Sequence, residues 1–214
     1  MDQVVAQKIE NFFAQYKTVR HRKGHILLHA QDDPEYIFFL TKGRVKQYDI
    51  SYRGDEVLLN IFKPSAFFPM SSAINKASNR YFFEAESDIE VRAAPVAETI
   101  ALLKDNPDIV YDLLSRVYTG VNGLLGRLAH LMSGTARSRV LYELLVECQR
   151  FGEVDGERVT ISLNESDIGA RAGLARETVS REIHKLKVTG LITIAHSKIT
   201  VPNLGQLGAA SDEL

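Results

Sequence analysis

The chain has 214 residues, which allows one large or two modest domains. At 45% hydrophobic and 25% charged it has the material of a soluble core, and its one cysteine, Cys148, rules out an internal disulfide framework and argues against a cysteine-held zinc or iron–sulfur site. The formal charge of -1 gives no global signal for nucleic acid, so a DNA-binding case must rest on local charge.

The start, MDQVVAQKIENFF, lacks the basic head and apolar run of a signal peptide, and no apolar stretch is long enough to span a bilayer. The cytoplasm is the expected location, with no membrane partner. Val4, Val5, Ile9, Phe12 and Phe13 fall at helical spacing and predict a short amphipathic helix. From Lys23 to Pro95 the texture changes to short apolar or alternating runs: HILLH at 25–29, YIFFL at 36–40, RVKQY at 44–48, EVLLNIF at 56–62, YFFEA at 81–85 and IEVRA at 89–93. Gly24, Asp32-Asp33-Pro34, Lys42-Gly43, Arg53-Gly54-Asp55 and Lys63-Pro64 punctuate them, which predicts a small all-β sandwich, barrel or roll.

After Pro95 the pattern turns helical. Asn106-Pro107-Asp108 reads as a helix start with proline at the first position. Val110, Leu114, Val117, Val121, Leu124, Leu128 and Leu131 then alternate spacings of four and three, the a/d repeat of a coiled coil. A dimer seam is the preferred reading; packing of the stripe on the β domain is the alternative. Gly120, Gly123 and Gly126 lie off the stripe, each weakening the helix by about 1 kcal/mol relative to alanine, and would let the β domain or a ligand come close. Ser133-Gly134-Thr135 breaks the pattern. Thr135 is positioned to cap a further helix carrying Val140, Leu141, Leu144, Leu145 and Cys148 on one face and ending at Phe151-Gly152. GAASDEL at the end reads as a loose tail. The expected division is a β unit with its N-terminal helix over 1–106, a long heptad helix and hinge over 107–134, and a further domain over 135–214.

Residues 162–188 read SLNESDIGARAGLARETVSREIHKLKV. Asn164 can cap a helix with Asp167 as its box partner. Ile168 and Ala172 give that helix an apolar face, Gly173 a tight turn, and Leu174 a plug between it and a second helix from about Arg176 to Val188. Small Gly169, turn Gly173 and inward Val179 have the order and spacing that two helices crossing steeply require. The outward face of the second helix carries Arg176, Glu177, Ser180 and Arg181, with His184 and Lys185 beyond. Arginine can bond bidentately to guanine and glutamate can accept from cytosine, and the first two turns of a recognition helix are where base edges are met. A merely solvated charged face is the alternative. LITIAHSKITV, 191–201, reads as a hairpin wing with Lys198 near its tip, a candidate phosphate contact.

A β-roll, a long helix, a hinge and a winged helix-turn-helix in this order resemble the Crp/Fnr family of bacterial regulators over almost the whole chain. RETVSR at 176–181 is the most specific piece. The resemblance implies an α+β architecture: an N-terminal cyclic-nucleotide-binding-like jelly roll, a long dimerisation helix and a C-terminal winged helix-turn-helix. It implies a homodimer on double-stranded DNA, Arg176, Glu177, Ser180 and Arg181 at base edges, Arg171, Thr178, Lys185 and Lys198 on phosphates, and RNA polymerase as a partner if the protein activates. Where the family often has serine or threonine, this chain has Ala175, so the recognition helix is expected to lack a side-chain cap.

The family's cyclic-nucleotide cassette contains Gly-Glu and then an arginine followed by a small hydroxyl residue. Residues 66–85 here have Phe68-Pro69-Met70 in place of Gly-Glu, and Arg80 is followed by Tyr81. The polar pair that reads adenine would fall near Leu124 and Leu125, which are apolar. Cyclic AMP is therefore not the expected effector, and no cofactor is identified. Arg80 reads equally as an anion contact for a small-molecule effector or as a surface arginine. His130, beside the seam, is an effector contact or a flanking polar residue. His21, His25 and His29 recur every four residues, but on a strand they would stand about 9 Å or more apart, and exposed strand ends explain them better than a metal. Cys148 reads as a buried small hydrophobe. Two rival readings are a sensor whose helix-turn-helix binds protein, and an enzyme, for which no catalytic setting is recognisable.

Overall fold

The computed structural model describes residues 3–52, 54, 56–195 and 198–212. The chain divides into two compact units, 1–119 and 120–214.

The first unit opens with α1 (Gln3–Ala14), whose Val5, Ile9 and Phe13 are buried at helical spacing. The strands β1 (Thr18–His21), β2 (Ile26–Leu28), β3 (Tyr36–Lys42), β4 (Val45–Ile50), β5 (Glu56–Phe62) and β6 (Phe67–Phe68) lead to the short helix α2 (Met70–Asn75). β7 (Phe82–Ala85) and β8 (Ile89–Pro95) complete the strands, and α3 (Val96–Asp105) and the start of α4 (Pro107–Ser133) follow. Two four-stranded antiparallel sheets result, in orders β1-β8-β3-β6 and β2-β7-β4-β5. β3 shows why its run is apolar throughout. Ile37 and Phe39 face a layer of helices with Phe13, Met70, Leu103 and Ile109, while Leu40, the next inward position, joins Val45, Phe68, Phe83 and Val91 in a second cluster. The β3–β4 turn needs Gly43: its φ is +85°, and a Cβ there would stand 2.3 Å from the Asp88 carbonyl oxygen.

The second unit contains the C-terminal part of α4, then α5 (Ala136–Phe151), β9 (Glu153–Asp155), β10 (Arg158–Ile161), α6 (Glu165–Ala172), α7 (Arg176–Val188), β11 (Thr193–Ala195), β12 (Lys198–Val201) and α8 (Leu204–Asp212). Its sheet runs β11-β12-β10-β9. One core gathers Val140, Leu141, Leu144 and Cys148 of α5 with Ile161, Ile168, Val179, Ile183, Leu186, Val201 and Leu207. Thr135 caps α5, accepting from the Ser138 amide at 3.2 Å.

Several expectations are corrected. Residues 208–212 of the expected tail belong to the helix Leu204–Asp212, because Leu207 is completely buried against the core and α8 packs on α5; 213–214 lie outside the described residues. Strands β1, β9 and β10 lie outside the expected set, being only three or four residues long. His21 and His25 are not separated along one strand. The chain turns between β1 and β2, and their rings stack at 4.1 Å. Burial, and then the neighbouring His25, hold the His21 pKa below its ordinary value. Among the described residues no group of His, Cys, Asp or Glu is placed to hold a metal ion, and no helix is long and apolar enough to cross a membrane.

Candidate nucleic-acid interface

The helix-turn-helix is built from its caps upward. The Asn164 side chain accepts from the Asp167 amide at 2.9 Å, and Asp167 accepts from the Asn164 amide at 3.5 Å, so two amides at the start of α6 are satisfied reciprocally. Gly173 ends α6 with φ +63°, in the left-handed region. At Gly169 a Cβ would stand 2.7 Å from the Leu174 carbonyl oxygen and 3.6 Å from Val179, so only glycine lets the turn fold back this closely. Ala175 caps α7 by backbone conformation alone, with no side-chain bond, as its residue type implies.

Buried Val179, Ile183 and Leu186 fix which side of α7 looks outward. Arg176, Glu177 and Arg181 are exposed on that side and Ser180 is half-buried beside them. Arg176 is 3.7 Å from Glu165, both at the surface, a pairing worth no more than about 1 kcal/mol and easily exchanged. Arg181 lies along its own helix, donating to the Glu177 carbonyl at 3.3 Å and to the Thr178 hydroxyl at 3.2 Å. Lys185 is exposed and reaches Glu182 at 2.7 Å; Lys198 opens β12 and is 3.3 Å from Glu153. The wing tip itself, His196 and Ser197, lies outside the described residues.

Arg171 corrects the phosphate set. Its side chain is only 5% exposed and bonds Glu147 at 2.7 Å, so a guanidinium expected on DNA is instead held within the unit. Removing it leaves Arg176, Arg181, Lys185, Lys187 and Lys198 as the exposed cations of the motif and wing, of which Arg176, Lys185 and Lys198 stand beside Glu165, Glu182 and Glu153.

The long helix carries the apolar stripe, and most of it is bare. Val110, Leu114, Val117, Val121, Leu124 and Leu128 are each 40–52% exposed, and Ile109 is the buried residue of α4. Leu131 differs: it is half-buried and reaches to 3.4 Å of where a Gly173 Cβ would stand, packing over the helix-turn-helix turn. Of the off-stripe glycines, Gly126 makes room for a neighbour in the same unit. A Cβ there would come within 2.6 Å of the Tyr142 hydroxyl, which donates to the Gly123 carbonyl at 2.7 Å. His130 is half-buried with its ring 4.5 Å from that of Tyr142, a packing role that the sequence did not indicate. Cys148 is buried, and desolvation, then the nearby Glu147 carboxylate, push its thiol up to about 12, which keeps it protonated and unreactive.

In the first unit the stretch 66–85 is filled by its own side chains. Phe68 is 1% exposed and stacks on Phe83 at 5.1 Å, and Phe62 closes a triangle of rings at 5.0 Å from Phe68 and 5.8 Å from Phe83. Met70 and Ala73 of α2 are buried too. Arg80 is exposed, and the adjacent Asn79 is the residue turned inward, donating to the carbonyls of His29 and Tyr81. Sequence reasoning missed Arg127, Glu143 and Glu147. The two glutamates are 1% exposed and bound to arginines 16 and 24 residues away, and spacing along the chain cannot signal such partners.

Residues 126–210 match the model of the Crp-like helix-turn-helix domain, and residues 18–106 match that of the cyclic nucleotide-binding domain. The global nitrogen regulator of Synechocystis sp. is 28% identical over 179 residues, 80% of this chain and 78% of its own. A protein of Mycobacterium tuberculosis named CRP-like cAMP-activated global transcriptional regulator is 26% identical over 197 residues, 90% of this chain and 87% of its own. Among solved structures, a CooA mutant from Carboxydothermus hydrogenoformans superposes with a TM-score of 0.77 at 20% identity, covering 94% of this chain and 90% of that one.

Proposed function

The chain belongs to the Crp/Fnr family of transcription regulators, and from that premise we propose that it is a homodimer reading a pseudo-palindromic operator under control of its β-roll. The observation that carries this is the capped helix-turn-helix, whose buried Val179, Ile183 and Leu186 leave Arg176, Glu177 and Arg181 facing outward. These three, with Ser180, read base edges in the major groove. Thr178, Lys185 and Lys198 sit on phosphates and set the register without reading sequence. Arg181 exchanges its intrahelical bonds for a guanine edge.

Val110, Leu114, Val117, Val121, Leu124 and Leu128 form the dimer seam. A regular stripe of six aliphatic side chains left 40–52% exposed is the signature of an interface, not of an ordinary surface. Two recognition helices then meet half-sites one helical turn apart, ~34 Å. Residues 1–106 act as the sensor, 107–134 as dimer helix and hinge, and 135–214 as the reader, working on the chromosome in a bacterial cytoplasm. An activating role would add RNA polymerase as a partner.

Cyclic AMP does not fit the roll. A bound phosphate needs buried or convergent donors. The cassette stretch instead buries Phe68 and Met70, and its arginine, Arg80, is exposed. The adenine-reading positions are Leu124 and Leu125, both more than half exposed and apolar. The effector is a different small molecule whose anionic group meets Arg80 at the surface and not in a buried cassette; His130 is occupied by Tyr142 and is set aside.

The test is Arg181→Ala in a gel-shift titration on an operator selected from randomised DNA. The expected loss is about 1–3 kcal/mol on that operator with relaxed preference at one base pair. An equal loss on random DNA overturns base reading by Arg181.

A further inference from the structure

α5 carries two glutamates one turn apart, Glu143 and Glu147, each 1% exposed. Glu143 takes a two-pronged bond from Arg127 of α4, at 2.7 and 3.0 Å. Glu147 takes a bond from Arg171 of α6 at 2.7 Å. One face of one helix thus grips both the C-terminal part of the long helix and the first helix of the helix-turn-helix. Further contacts run alongside: the Tyr142 hydroxyl on the Gly123 carbonyl, and Leu131 over the Gly173 turn. Buried ion pairs of this kind are often no more stabilising than apolar side chains of the same volume, so stability alone does not account for two of them side by side. What the forked Arg127–Glu143 pair supplies, and an oily contact would not, is a fixed direction, and the Arg171–Glu147 bond ties the same helix face to α6.

We infer that Glu143 and Glu147 are positioning residues for operator reading. They set the angle between the seam-bearing end of α4 and α6–α7. In a dimer closed through Val121, Leu124 and Leu128 that angle fixes how far apart the two recognition helices stand. The inference rests on the homodimer reading above.

The experiment measures how strongly the full-length protein prefers a selected operator over the same operator with its half-sites moved one base pair closer or further apart. Binding to random DNA and the melting temperature are recorded for each variant. Wild type is expected to prefer the original spacing. Glu143→Gln is expected to reduce that preference about two- to thirtyfold while leaving random-DNA affinity unchanged. Arg127→Lys keeps the charge but loses the fork, so it is expected to shift the preference in the same direction by less, and it serves if Glu143→Gln folds poorly. A spacing preference unchanged in the variant that folds overturns the inference and leaves the dimer reading standing. A merely structural role would lower the melting temperature and weaken binding to every DNA in proportion, leaving the ratio intact, which also overturns it. A wild type with no spacing preference overturns the dimer reading, and the inference with it.

Discussion

The two units teach opposite lessons about how a sequence shows its function. In the second unit the functional elements are local. Gly169, Gly173 and Val179 lie within eleven residues, and the spacing that permits the helix pair also says which side chains face out. In the first unit the candidate ligand stretch is walled by residues spread along the whole unit: Phe68 and Phe83 share one cluster with Leu28 of β2, Leu40 of β3, Val45 of β4 and Val91 of β8. A reader of DNA is specified by one helix face, and a ligand site by a three-dimensional wall. The chain therefore states its output plainly and its input only through the groups it lacks.

The largest expected effect tests the idea that the aromatic cluster is core and not a ligand wall. Phe68→Ala should destabilise the first unit by about 3–5 kcal/mol in urea denaturation, because the residue is 1% exposed and stacked on Phe83. A loss below about 1 kcal/mol would mean that this region is plastic and open to a ligand. The long helix comes next. Leu128 is 50% exposed, so Leu128→Glu should leave the chain's own melting nearly unchanged. It should weaken the dimer by about 2–4 kcal/mol, read by sedimentation equilibrium. An unchanged dimer would place the seam elsewhere.

A smaller effect sharpens the reader. Ala175 already has the cap conformation, φ -64° and ψ 145°, without a side-chain acceptor. Ala175→Ser should therefore stabilise the second unit by about 1 kcal/mol, visible as a raised denaturation midpoint, and no gain would mean that α7 is satisfied in another way. The smallest belongs to the sensor. Arg80→Ala should change stability by no more than about 0.5 kcal/mol, since the side chain is exposed. If Arg80 contacts an anionic effector, the same variant should remove effector-dependent DNA binding while leaving the basal affinity alone.

The β-roll, the long helix, the capped helix-turn-helix and the wing strands were legible because each rests on periodicity or turn chemistry within about twenty residues. α8 escaped because Gly205, Gly208 and paired alanines look like a tail, and burial of Leu207 against α5 is what makes it a helix. Arg171 was misread for the same kind of reason. On α6 it belongs to a basic run, and its destination depends on Glu147, which spacing along the chain does not place beside it. His21, His25 and His29 do stand at strand ends, but the turn at Gly24 brings the His21 and His25 rings together, where positions along one strand would have stayed apart. Leu131 fits the heptad in sequence and yet reaches toward the Gly173 turn, so the exposed apolar stripe ends one step earlier than its pattern.

The central claim is that two copies of α7 read two half-sites from one face of the duplex. Hydroxyl-radical footprinting of the full-length protein on a selected operator tests it most directly. The expected result is two protected patches ~34 Å apart, related by two-fold symmetry. A single patch, or uniform protection that does not depend on sequence, would contradict it.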